Sequence, residues 1–233
     1  LDDVTQSEIL KFWNWLNDRI KTGLKANTAN KQISFLKDIL KTVSAKNEIN
    51  LDTGTLFAET FFKQSINSRT PFEAQYVQDT LLEAVLNLND RDCYGFWAIA
   101  DTGIRQSELF GLMREDIFLD EKVPHIWIRP RSGQTLKTKD SERKIPLVGS
   151  ALIAFKKFPD GFSHLGNSES FSASINNFLK EKGLRPTPNH SAYSLRHTFK
   201  DRLRDYGDMG APEEIIDELM GHKKPGDHYG RGH

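Results

Sequence analysis

Apolar residues recur at helical spacing through the first third of the chain. Ile9, Trp13, Leu16 and Ile20 mark one amphipathic helix, and Ile33, Leu36, Leu40 and Val43 mark a second, with Lys and Asn on the remaining faces. Thr5 with Glu8 has the form of a capping box ahead of the first helix, and Gly23 breaks the pattern behind it. Phe57, Phe61 and Phe62 suggest a third, shorter amphipathic piece. The polar stretch Gln64-Ser65-Ile66-Asn67-Ser68-Arg69 then suits a linker. Thr70-Pro71-Phe72-Glu73 reads as a fresh helix start, with an N-cap hydroxyl, proline at N1 and glutamate at N3. Val77, Leu81, Leu82, Val85 and Leu88 continue it, and a more apolar helix follows around residues 96–100.

Further on the period changes. Residues 125–129 and 143–148 read as short strands flanking a basic turn. Helices resume at 149–157, at 171–182 (ended by Gly183), at 194–204, and from Pro212 to Gly221, where a left-handed cap suits glycine. No internal repeat or low-complexity tract interrupts the chain. The pattern predicts a mainly α protein with a small antiparallel β-sheet. It divides into a helical domain at 1–66, a linker at 67–71, and a larger mixed α+β domain at 72–233.

At 233 residues the chain is long enough for two modest domains. No apolar run approaches the ~20 residues of a membrane span, and no membrane partner is expected. The single cysteine, Cys93, rules out an internal disulfide framework, fits a reducing interior and reads as buried packing. The sequence starts at Leu1 without Met, which suggests an excised fragment. Net charge is zero, which by itself argues against a phosphate-binding protein. A local basic concentration (Arg129, Arg131, Lys137, Lys139, Arg143 and Lys144 against Asp140 and Glu142) offsets this, although a solvated hairpin surface would look the same.

Three motifs carry chemistry. They are Thr102-Gly103-Ile104-Arg105-Gln106-Ser107-Glu108-Leu109, Ser194-Leu195-Arg196-His197-Thr198-Phe199, and Gly221-His222 followed by Tyr229. Arginine offers a planar, permanently charged fork to phosphate oxygens, and two arginines from separate segments can hold a phosphodiester from two directions. A tyrosine nucleophile conserves bond energy as a phosphotyrosyl ester, and a lysine can protonate the leaving oxygen.

In their order and content these motifs resemble those of the tyrosine recombinases of the phage-integrase family. The specific resemblance covers about residues 70–233; the first 65 residues fit only by helical character and order. It implies that Arg105 and Arg196 are the two phosphate-binding arginines, Glu108 the supporting acidic residue, His222 a phosphate hydrogen-bonding group, and Tyr229 the nucleophile. Lys137 best matches the family's hairpin lysine, with Lys139 as the alternative. Tyr193 occupies the position where the family usually carries histidine. A phenol of pKa ~10 is a poor base near neutrality, so Tyr193 is expected to position the phosphate rather than take a proton. His197 reads as structural and His190 as a possible substitute imidazole. The interval from His222 to Tyr229 is shorter than is usual in the family.

The resemblance further implies a site-specific recombinase acting on double-stranded DNA attachment sites through a 3′-phosphotyrosyl intermediate, with no metal or other cofactor. A homotetramer on DNA and a bacterial cytoplasmic, nucleoid-associated setting come with it, as does a core-binding role for residues 1–66. Trp13 and Trp15 are expected to pack in a core or between domains rather than to stack on bases. The natural chain is expected to continue past His233 with a segment that packs on a neighbouring protomer. Type IB topoisomerase-like relaxation and a catalytically impaired DNA-binding accessory protein are the rival readings.

Overall fold

A computed structural model describes residues 4–63, 70–130, 142–206 and 210–222. The chain falls into two compact units, Leu1–Asn67 and Ser68–His233. None of the described helices is long and apolar enough to cross a membrane.

In the first unit α1 (Gln6–Lys21) packs on α2 (Ala26–Lys46), with the short α3 (Thr53–Leu56) beside them. Ile9 and Leu16 from α1 and Ala29, Ile33 and Leu40 from α2 form the core with Phe57. Asn30 closes this unit. Its side-chain amide donates to the Phe62 carbonyl (2.9 Å) and accepts from the Phe62 N–H (2.8 Å), so a buried backbone segment loses no hydrogen bonds.

Three local readings need correction here. Thr5 makes no side-chain cap, and Glu8 bonds Lys11 at 2.6 Å instead. The third helix precedes the phenylalanines: Asp52 caps it by accepting from Gly54 and Thr55 N–H, leaving Phe57 at its C-cap. Trp13 does pack on the core, stacked on Phe62 at 4.9 Å, but Trp15 is half exposed, stacked on Phe12 with Arg19 over its ring.

The second unit is built around α6 (Asp90–Ala100), which packs against α8 (Gly149–Lys157), α9 (Ser168–Glu181) and α10 (Ser194–Arg204). Its buried face (Cys93, Phe96, Ile99 and Ala100) joins Phe110, Phe155, Phe162 and Phe171 in one core. A three-stranded antiparallel sheet, ordered β1 (Ile117–Phe118), β2 (His125–Ile128), β3 (Arg143–Pro146), closes one side. Ile126 faces Ile117 on one neighbour and Ile145 on the other, and Ile128 faces Arg143. α7 (Gln106–Leu109) and α11 (Glu213–Met220) complete the elements that carry the site.

The helix expected from Thr70 begins only at Ala74, as α4 (Ala74–Tyr76). It continues through a π turn (Val77–Leu81), α5 (Leu82–Ala84) and a 3₁₀ turn (Val85–Asn87). Residues 70–73 are instead held extended by tertiary bonds. Thr198 Oγ1 accepts from the Phe72 N–H at 2.8 Å and donates to the Phe72 carbonyl at 3.0 Å, with the Ser194 carbonyl as its alternative acceptor at 3.1 Å. The Pro71 carbonyl accepts from His190 Nε2 at 3.0 Å. The capping code at Thr70 is thus overruled by a strap onto α10.

Replacing Thr198 by Val keeps the side-chain volume but strands a buried N–H and carbonyl of Phe72. We expect a loss of about 1–3 kcal/mol, read as a lower urea midpoint for the larger unit with an unchanged slope. An unchanged midpoint would mean that the strap contributes nothing.

Candidate active site

The geometry starts at the C-terminal end of α11. The last carbonyls of a helix have no intrahelical donors, and the helix dipole makes that end attractive to cations. Here three successive carbonyls each receive an arginine from a different element. The Leu219 carbonyl accepts from Arg143 Nε at 2.8 Å, the Met220 carbonyl from Arg196 Nη2, and the Gly221 carbonyl from Arg105 Nη2 at 3.3 Å. Arg196 also donates through Nη1 to the Gly103 carbonyl. Residues more than a hundred positions apart are thereby drawn to one point.

Glycine is required at two places around this point. Gly103 has φ 60°, and a Cβ there would lie 2.4 Å from the Phe199 ring. Gly221 has φ 62°, ending α11 in the left-handed conformation expected for it. A Cβ at Gly221 would stand 2.8 Å from Arg143 Nη1 and 3.4 Å from Arg105 Nη1. His222 emerges directly beyond, its N–H donating to the Asp217 carbonyl at 2.8 Å.

Glu108 sits between two of the guanidiniums. It accepts from Arg105 Nη1 (2.6 Å), from the Arg105 backbone N–H (2.9 Å), and from Arg143 Nη2 (2.8 Å) and Nη1 (3.2 Å). Burial alone would raise its pKa. The hydrogen bond and charge of Arg143, then the N–H and charge of Arg105, hold the carboxyl below the ordinary range, so it is ionised at neutral pH. Arg196, almost fully buried, is pushed down to about 10 by burial and by repulsion from Arg105, with Glu108 opposing both; it remains a cation at neutral pH. Three cations around one carboxylate leave a surplus of positive charge; Arg196 Nη2 lies 3.5 Å from His222 Nε2, and Arg105 lines a groove of ≈ 640 Å³ together with Gln106, Glu169, Ser172, Asn176 and Tyr193.

Of the residues expected from the sequence, Arg105, Glu108, Arg196 and His222 meet in this cluster, and Tyr193 shares the groove with Arg105. Tyr193 precedes α10, and its ring meets His197 edge-on at 5.4 Å. His197 is half-buried rather than in the core. His190 is committed to structure: its Nδ1 accepts from the Thr187 N–H at 3.1 Å while Nε2 donates to Pro71. Lys137, Lys139 and Tyr229 lie outside the described residues. The residue missed is Arg143, which looked like part of a basic hairpin surface. Its side chain is 1% exposed, whereas Arg129 lies over the Trp127 ring and pairs with Asp116 at 2.9 Å. A signal for it did exist, because Arg143 shares strand phase with buried Ile145.

No family model matches the sequence. A tyrosine recombinase XerC-like protein of Caldanaerobacter subterraneus subsp. tengcongensis is 26% identical over 158 residues, which are 52% of this chain and 40% of that protein's length. Among solved structures, the Tn1549 transposon integrase in complex with a circular intermediate DNA superposes with a TM-score of 0.69 at 17% identity, covering 96% of this chain and 79% of that one. Lambda integrase, as a dimer bound to a core site, gives a TM-score of 0.69 at 18% identity, covering 97% and 78%. The fold is therefore that of the DNA integrases. In sequence the chain is similar to a tyrosine recombinase, and in fold to two integrases that are solved on DNA.

His222 is held below its ordinary pKa by burial and by the charges of Arg196 and Arg105. For both Glu108 and His222 the folded value is depressed. Their contribution to stability is therefore present above the unfolded values (roughly 4.3 and 6.5) and lost as pH falls through the folded ones. An NMR titration should find the His222 midpoint below ~6.5, moving upward as sulfate is added and offsets the guanidiniums. A midpoint at or above the ordinary value without anion would separate the imidazole from the arginine cluster.

Proposed function

We propose that this protein is a site-specific DNA recombinase that cuts and rejoins strands through a 3′-phosphotyrosyl intermediate formed on Tyr229. The observation that supports it most is the grouping of Arg105, Arg143 and Arg196 around the single carboxylate of Glu108, with His222 at its edge. Three guanidiniums against one carboxylate leave two positive charges uncompensated, and a phosphodiester would neutralise one of them.

In this reading Arg105 and Arg196 hold the non-bridging oxygens as the pentacoordinate state forms. Their fixed positions mean that little reorganisation is needed at the moment of reaction. His222, neutral near pH 7, adds a hydrogen bond. The Tyr229 oxygen attacks phosphorus as its phenolic proton passes to solvent, the bond to the 5′-oxygen breaks, and Lys137 (or Lys139) protonates that departing oxygen to a 5′-hydroxyl. A 5′-hydroxyl from a second duplex then reverses the step, joining the strands and releasing the phenol. Tyr193 donates its hydroxyl hydrogen to a phosphate oxygen. Residues 1–66 form the core-binding domain, linked at 67–71 to a catalytic domain at 72–233, and four protomers assemble on two attachment sites. The setting is the bacterial cytoplasm, and the outcome is integration or excision of a mobile element.

An accessory role with an impaired site has three observations in its favour: the phenol at Tyr193 where an imidazole is usual, the short interval from His222 to Tyr229, and the zero net charge. The two readings part on covalent chemistry. Nicked suicide DNA carrying the element's own junction should yield an SDS-resistant adduct with the wild-type chain and none with Tyr229→Phe. Failure of the wild type to form an adduct, while binding the DNA, would favour the accessory reading. Tyr193→Phe should slow adduct formation about tenfold, as expected for one hydrogen bond to a charged group. Full activity in that variant would remove Tyr193 from the site.

A further inference from the structure

We propose that Arg143 is a positioning residue for strand cleavage, an inference that rests on the recombinase reading above. It does not reach the phosphate itself, since its side chain is 1% exposed and a Cβ on Gly221 would collide with its guanidinium. What it does is fix two other parts of the site. Two of its nitrogens hold Glu108, at 2.8 and 3.2 Å, and its Nε holds the Leu219 carbonyl at 2.8 Å.

Each contact has a consequence for catalysis. Glu108 also bonds Arg105, through both the side chain and the backbone N–H. With Arg143 present, the carboxylate is shared between two guanidiniums and Arg105 keeps donors for substrate. Without it, a buried carboxylate is left with Arg105 as its sole charged partner of the pair, and Arg105 is drawn into a closed bidentate pair away from the phosphate. The grip on Leu219 acts on the other side of the site. It fixes the last turn of α11, from which His222 and the segment toward Tyr229 set out. Arg143 also opens β3, the first described strand after the segment carrying Lys137 and Lys139. One side chain therefore sets the spacing between the acidic support, the phosphate-binding arginine and the root of the nucleophile's segment. A lysine cannot replace it, because a single ammonium lacks the fork that spans a carboxylate and a carbonyl together.

The test compares Arg143→Lys, Arg143→Met, Glu108→Gln and the double variant Arg143→Met with Glu108→Gln. Adduct formation on suicide DNA gives the rate, fluorescence anisotropy the DNA affinity, and circular dichroism the fold. Both Arg143 variants should cleave on the order of 10²-fold more slowly, as misplacement by about 1 Å would cause, with DNA affinity unchanged. The double variant should be no slower than the worse single one, because both changes break the same link. Wild-type cleavage in a folded Arg143→Met protein would overturn the proposal, and so would additive losses or affinity falling in step with rate. Failure of both Arg143 variants to fold would assign the residue to stability and overturn it as well. Absence of an adduct with the wild type is a different result, since it brings down the recombinase reading on which this one stands.

Discussion

Everything that gives the larger unit its chemistry depends on the bare C-terminal end of α11. Its last carbonyls would otherwise face the interior unpaired, at a cost of about 1–3 kcal/mol each. Arg143, Arg196 and Arg105 satisfy Leu219, Met220 and Gly221 in turn. Guanidiniums repel one another, as the lowered pKa of Arg196 records. The negative end of a helix and one buried carboxylate make their company tolerable. The same arrangement answers a folding need and prepares a site for an anion, because the positive charge drawn in exceeds what Glu108 can neutralise.

Much of this was legible in the sequence, for definite reasons. Arg105 and Arg196 stand in compact motifs at helix starts, and both reach the end of α11. Gly221 ends its helix in the left-handed conformation that glycine tolerates. Arg143 was harder to read, since proximity in sequence to Lys137 and Lys139 made it look like surface. The alternation Arg143, Ile145 on one face of β3 is a weak signal over four residues. The helix start at Thr70 failed for another reason: a local capping preference of about 1 kcal/mol was outweighed by two hydrogen bonds to Thr198 and one to His190. The strand Ile117–Phe118 was missed because two residues carry no readable period.

His190 and His222 have different surroundings. His190 is close in sequence to Tyr193, but both its nitrogens are spent on Thr187 and Pro71, and its ring lies 4.7 Å from Phe72. It is a bracket for the strap rather than a source of protons. His222 is held below its ordinary pKa by partial burial and by its cationic neighbours, which favours the neutral imidazole near pH 7.

The strap itself has a mechanical consequence. Phe72 is fastened through Thr198 to the helix on which Arg196 stands two residues earlier, and Pro71 is fastened to the loop just before that helix. A pull on the chain ahead of Thr70 would be delivered first to α10, along the hydrogen bonds that resist it most directly, and so to the guanidinium it carries.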